Sequence, residues 1–123
     1  MNEINKKKLG NIGEDISFNY LEKLNYKVLK RNFRCRQGEI DIIAKEGEEY
    51  VFVEVKTRGQ FCFGRPREAV NQVKQKHMYK AARYYLYKNG LEGVFLRFDV
   101  IEIYIFIGRK DCFLWRFWRK LNF

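Results

Sequence analysis

Apolar and polar residues alternate with a period of two in two neighbouring stretches of this 123-residue chain. In the first, Ile40, Ile42 and Ala44 interleave with Glu39, Asp41 and Ile43. In the second, Val51, Val53 and Val55 interleave with Phe52, Glu54 and Lys56. A charged, glycine-containing interval lies between them, so residues 38–58 are predicted to form a β-hairpin turning at Gly47-Glu48. Pairing across that turn sets Lys45 against Tyr50, Ile43 against Phe52, Asp41 against Glu54, and Lys56 against Glu39. Two carboxylates directly opposed on one face repel. A local rule broken in this way marks the place to look for function.

The rest of the pattern supplies the surroundings. Over residues 10–24, helical spacing gathers Ile12, Ile16, Phe18, Tyr20, Leu21 and Leu24 on one arc. Glu14 falls inside that arc. It either faces the core and needs a cation, or sits partly wet in a first turn favoured by the helix dipole. Asn25 ends the helix. Residues 26–34 alternate as a strand, and Cys35-Arg36-Gln37-Gly38 turns into the hairpin. Residues 58–66 form a loop with Arg58, Arg65 and the only proline, placed to shape the entrance of a site or simply to connect. A second helix is expected over 66–88, with Val70, Val73, His77, Ala81 and Tyr84 as its apolar stripe. His77 is read as a core or boundary residue. Gln72, Lys76, Lys80 and Arg83, with Lys74 nearby, form its polar basic face, which is either solvated or in contact with phosphates. Asn89-Gly90 is a stop signal. Residues 96–107 read as a central strand covered on both faces, with Asp99 as a structural or supporting carboxylate. Residues 108–111 are a turn. The aromatic and basic tail 112–123 suits an amphipathic helix capping the sheet better than a base-stacking surface.

Composition narrows the classes. The chain is long enough for one domain, residues 1–123, with residues 1–9 expected as a mobile basic lead-in and 108–123 as the aromatic-basic tail. A hydrophobic share of 46% argues against disorder. The formal net charge of +10 predicts a polyanionic partner, nucleic acid before an anionic membrane surface. Cys35, Cys62 and Cys112 are widely spaced and form no CxxC pair, which suits neither a disulfide framework nor a zinc site. No secretory leader or spanning segment is visible, so a cytoplasmic location without membrane association is expected.

The chemistry of the hairpin follows from residue type. Two converging carboxylates suit a hard divalent cation. Such an ion acidifies bound water and neutralises phosphoryl charge, while a neighbouring lysine orients water or stabilises developing charge. The plainer reading of an isolated D…ExK pattern is a set of exposed ion pairs worth little.

The order GNIGED, GEIDIIA, VFVEVKTR, REAV with Lys76 beyond it, and RFDV resembles the YraN family from Gly10 to about Ile101. That family is similar to the PD-(D/E)XK nucleases of restriction enzymes and Holliday-junction resolvases. The resemblance implies an α/β, restriction endonuclease-like fold, a central mixed β-sheet flanked by helices. It also implies an Mg²⁺- or Mn²⁺-dependent endonuclease acting on DNA, including branched or structured DNA. Asp41 and Glu54 would then be metal ligands, Lys56 the catalytic lysine, and Glu14 the helix carboxylate that completes the metal site. Gln72 and Lys76 would line the cleft. Arg34, Arg58, Arg65, Lys74 and Lys80 are the further candidates for nucleic-acid contact. A binding module on the same fold that no longer cleaves is the competing reading, and a homodimer is compatible with both.

Overall fold

The computed structural model describes residues 6–58, 72–106 and 113–121, with side chains within 7–57 and 72–104. Two helices, α1 (Lys6–Lys23) and α2 (Gln72–Lys88), accompany five strands: β1 (Lys27–Cys35), β2 (Gly38–Glu46), β3 (Glu49–Arg58), β4 (Phe95–Phe106) and β5 (Phe113–Leu121). The strands form one sheet in the order β1-β2-β3-β4-β5. All neighbouring pairs are antiparallel except β3 and β4, which run parallel. A parallel pair needs a long crossover, and α2 lies within it. The result is an α/β fold with a mixed sheet flanked by two helices, consistent with the restriction endonuclease-like architecture.

The helix ends follow from local chemistry. At the end of α1, Asn25 adopts a left-handed φ of 67°, and the N–H of Tyr26 reaches the carbonyl of Leu21 at 3.0 Å. At the end of α2, Gly90 (φ 65°) does the same, with Leu91 N–H on the Leu86 carbonyl at 2.8 Å. Both closures satisfy carbonyls that the last helical turn leaves unpaired.

Each face of the sheet carries its own core. On one side, Met78, Ala81, Ala82 and Leu86 of α2 pack on Phe33, Ile40, Ile43, Phe52, Phe98 and Val100. On the other, Leu21 of α1, with Leu9, Ile12 and Ile16, packs on Ile42, Ala44, Val51, Val53, Ile101 and Ile103. A fully buried side chain such as Phe52 or Ile101 contributes about 1.5–3 kcal/mol by leaving water. The two helices are seated by glycines. A Cβ on Gly13 would overlap the Thr57 Oγ1, so α1 lies against β3 backbone to side chain. A Cβ on Gly38 would sit 3.0 Å from the His77 carbonyl oxygen, where α2 comes down on the start of β2.

Several expectations are corrected. α1 begins at Lys6, so residues 6–9 belong to the helix rather than to a lead-in. Glu14 therefore lies more than two turns inside it and cannot be a first-turn residue. The α2 stripe is rotated from the one expected: Val73 is 63% exposed and His77 is exposed, while Met78 and Ala82 are buried. Small residues there allow the helix to approach the sheet closely. The tail is strand β5 rather than a helix, because the open edge of β4 pairs it from Phe98↔Leu121 to Phe106↔Phe113. Bulky aromatic residues suit a pleated surface better than their basic neighbours suggest. Arg58, expected to open the loop 58–66, instead ends β3 in register with Tyr104; the rest of that loop, with Arg65, the start of the second helix at Pro66 and the turn 108–111 lie outside the described residues.

Candidate active site

The hairpin forms as expected, with Lys45 paired to Tyr50 and Ile43 to Phe52. The ladder then ends at Ile42↔Val53, one pair short of Asp41 and Glu54. Beyond that point β2 follows β1 to Cys35↔Gly38, and β3 follows β4 to Arg58↔Tyr104. The two strands fork. Asp41 is at the split, where its Oδ2 accepts the N–H of Val55 at 2.8 Å in place of a ladder bond.

The alternation of the strands changes phase at the same level. Ile40 packs on the α2 side, whereas Ile42, two residues on, packs on the α1 side. In β1, Asn32 lies between the pairs Arg31↔Ile42 and Phe33↔Ile40 and adopts a left-handed φ of 54°. A non-glycine residue held there is costly and is usually tied to a local hydrogen bond. Here the Asn32 side chain is turned to the Glu14 carboxylate of α1, whose charged form it favours. Arg31 beside it pairs with Asp15 at 2.7 Å and lies over the Phe18 ring, fastening β1 to α1.

Glu54 is buried, only 4% exposed. Its Oε2 lies 3.4 Å from Lys56 Nζ and 3.6 Å from Lys74 Nζ, while its Oε1 is buried without a hydrogen-bond partner. Burial pushes the Glu54 carboxyl up to about 7, and the charge of Asp41 and a hydrogen bond shared with it push the same way. Lys74 and Lys56 oppose this without cancelling it, since about a third of each lysine side chain remains in solvent. Glu14 is also raised, first by burial and then by Asp41, with Arg31 and the Asn32 bond acting against it.

Asp41, Glu54 and Lys56 thus meet at the fork, and Glu14 reaches Asp41 from α1. The contact between the carboxylates does not come from the ladder pairing expected. The expected Lys56–Glu39 opposition is also absent. Glu39 pairs with Arg34 at 3.3 Å, and Lys56 is registered with Glu102 of β4. Among the described residues no three His, Cys, Asp or Glu side chains form a ready-made metal cage. Asp41 and Glu54 are the close pair, and the charge of Asp41 acts on Glu14 through space.

The candidates for nucleic-acid contact divide. Gln72, Lys76 and Lys80 are exposed on α2, and Arg34 is exposed on β1. Lys74 is turned to Glu54 instead. The Arg58 side chain and Arg65 lie outside the described residues. Sequence reasoning missed Asn32 and Glu102. Glu102 is 1% exposed and accepts the Tyr104 hydroxyl at 2.9 Å. It interrupts the apolar run Val100-Ile101-Glu102-Ile103, and that was a readable signal. Asp99 is structural. Arg97 Nε donates to both its oxygens at 3.0 and 3.2 Å, while Nη1 reaches Glu46 and Glu49 and Nη2 reaches the Tyr26 hydroxyl.

Comparison with known proteins agrees over this frame. Residues 13–103 match the model described as "Uncharacterised protein family UPF0102". A UPF0102 protein of Caldicellulosiruptor saccharolyticus is 48% identical over 102 residues, 83% of this chain and 86% of the relative. One from Clostridium tetani is 50% identical over 111 residues, 90% of this chain and 89% of the relative. Among the described residues no helix is long and apolar enough to cross a membrane. The chain belongs to the UPF0102 (YraN) family.

Proposed function

We propose that this chain is a divalent-metal-dependent endonuclease that hydrolyses phosphodiester bonds in DNA, including branched or structured DNA. The observation that carries the reading is Glu54, a buried carboxylate with one unpartnered oxygen, in hydrogen-bonding reach of Asp41 and beside Lys56. The donor set suits Mg²⁺ or Mn²⁺, because both prefer carboxylate oxygens and burial makes the charged form of Glu54 costly even beside two lysines. Asp41 and Glu54 would hold the ion, with Glu14 next to Asp41. When bound, the ion supplies acidified water and neutralises charge at the phosphoryl group.

The side chains account for the other requirements. The Val55 N–H keeps Asp41 oriented, leaving its second oxygen for the site. Lys56, anchored on Glu54 and a third exposed, donates to a phosphoryl oxygen as charge develops and orients the attacking water. Lys74 holds Glu54 from the other element and ties α2 to the site. Water attacks phosphorus as the bond to the leaving oxygen breaks, with no covalent link to the protein.

The test is cleavage of duplex, single-stranded and four-way-junction DNA with Mg²⁺ or Mn²⁺. Cutting that disappears with a chelator and in Lys56→Ala is expected. If all three substrates survive, or if the variant cuts as fast as the parent, the enzyme reading fails. Salt-dependent binding without cutting then leaves a binding module on the same fold.

A further inference from the structure

α2 presents a second surface beside its core-facing stripe. Met78, Ala81, Ala82 and Leu86 face the sheet. Gln72, Gln75, Lys76, Tyr79 and Lys80, spaced at three and four residues, line a groove of about 570 Å³ along the neighbouring face. That volume falls within the range of sites that hold small ligands, and it is ample for one nucleobase. The Tyr79 ring is supported from below, 6.2 Å from Phe98, and is still 42% exposed. The Arg83 guanidinium lies over it at 5.8 Å, on a flexible side chain that a stacking base would displace toward a flanking phosphate.

The electrostatics select the occupant. α2 contains no Asp or Glu, and it carries Lys74, Lys76, Lys80, Arg83 and Lys88. An acidic or neutral peptide would leave the groove's ring and its flanking cations unequally used. A nucleotide uses both, since its base stacks on an aromatic ring and its phosphates meet lysines. In an intact duplex both faces of each base are covered by neighbouring pairs, so a ring reaches a base face only where the strand is unpaired. Lys74 touches Glu54 at 3.6 Å, and Tyr79 is five residues further along, about 7.5 Å of helix.

We propose that this groove is a subsite for an unpaired DNA nucleotide, with its base stacked on Tyr79 and its flanking phosphates on Lys76 and Lys80, on the same helix that carries Lys74 to the fork. The proposal rests on the DNA-cleaving reading for its position. It adds Tyr79, as the stacking surface, to the α2 residues expected to meet nucleic acid, and none of the groove's residues belongs to the carboxylate pair at the fork.

The experiment is binding of a single-stranded oligonucleotide carrying 2-aminopurine, against the same sequence as a duplex, with chelator present so that nothing is cut. The parent is expected to prefer the single strand and to quench the 2-aminopurine. Tyr79→Phe is expected to retain both properties. Tyr79→Leu, which keeps an apolar contact with Phe98, is expected to lose about 5- to 150-fold in affinity together with the quenching. A Lys76→Ala, Lys80→Ala double variant should reduce the salt dependence by about two phosphate contacts and leave the quenching intact. Photocrosslinking of the parent to 5-bromouracil DNA, which needs no variant, should label Tyr79. Equal affinity of Tyr79→Leu and parent, equal binding of duplex and single strand, or crosslinks elsewhere would each overturn the subsite. Equal binding of the matching RNA would overturn the assignment to DNA. A chain that binds in this way and never cuts removes the hydrolase and keeps the subsite, whereas a chain that cuts with Tyr79→Leu unaffected does the reverse.

Discussion

The Oδ2 of Asp41 accepts the main-chain N–H of Val55 at 2.8 Å, at the residue where β2 and β3 cease to pair. One carboxylate therefore does two jobs. It closes a gap in the sheet and it presses on Glu54. Asp41→Asn keeps a carbonyl oxygen for Val55 and removes the charge, so its urea midpoint should match or exceed the parent's. Asp41→Ala leaves that N–H without its acceptor and should cost about 1–2 kcal/mol. Both should lose at least about 100-fold in cleavage rate, a size typical of losing a group that positions charge. A fully active Asp41→Asn would remove the charge from the mechanism.

Glu54 makes metal-free stability depend on pH in an unusual direction. Its carboxyl titrates near 7 in the fold against an ordinary value of 4.5, so between those values the folded chain holds a proton that the unfolded chain has released. Stability from this group is complete below about 4.5 and is lost as pH rises through 7, by on the order of 2–3 kcal/mol. Urea unfolding in chelator at pH 5 and pH 8 measures it. Glu54→Gln should flatten the difference and be the more stable protein at pH 8. Parent and variant curves with the same pH slope would contradict this origin.

Asn32 separates backbone strain from side-chain function. Asn32→Gly accepts the φ of 54° without strain and loses only the amide that bonds Glu14. It should fold within about 1 kcal/mol of the parent, whereas Asn32→Val should cost about 1–3 kcal/mol for a β-branched residue in that conformation. Thermal melts of the two variants provide the comparison. In cleavage assays Asn32→Gly should still be slower, by about tenfold.

Gly13 tests how closely α1 lies on β3. Alanine improves helix propensity by about 1 kcal/mol. Here its methyl would meet the Thr57 hydroxyl, and overpacking of this kind costs about 1–3 kcal/mol. The clash should win. Gly13→Ala should melt lower than the parent, and Thr57→Ala should recover part of the loss because it removes the nearest atom.

Much of the frame could be read from residue pattern. The period of two in 38–58 located both strands and their turn, and it named Asp41, Glu54 and Lys56 as neighbours. The fork could not be read. Extending a regular ladder by one more pair gives the right neighbours for the wrong reason, because nothing in Asp41 or Asn32 alone announces that pairing stops there. The expected stripe of α2 has Ala81 in the right place but takes in the exposed Val73 and His77 and leaves out the buried Met78 and Ala82. Close helix–sheet packing rewards small side chains, and that preference depends on the partner surface. β5 was misjudged for a similar reason, since the edge of β4 decides its conformation rather than its own spacing. Glu102 was overlooked within a run that otherwise reads as core.

The most direct measurement is the position of bound Mn²⁺ by anomalous scattering from crystals of the parent. The account predicts a peak within coordination distance of both Asp41 and Glu54, lost in Glu54→Gln. Mn²⁺ found elsewhere, or a fork that stays empty at millimolar metal, would contradict it.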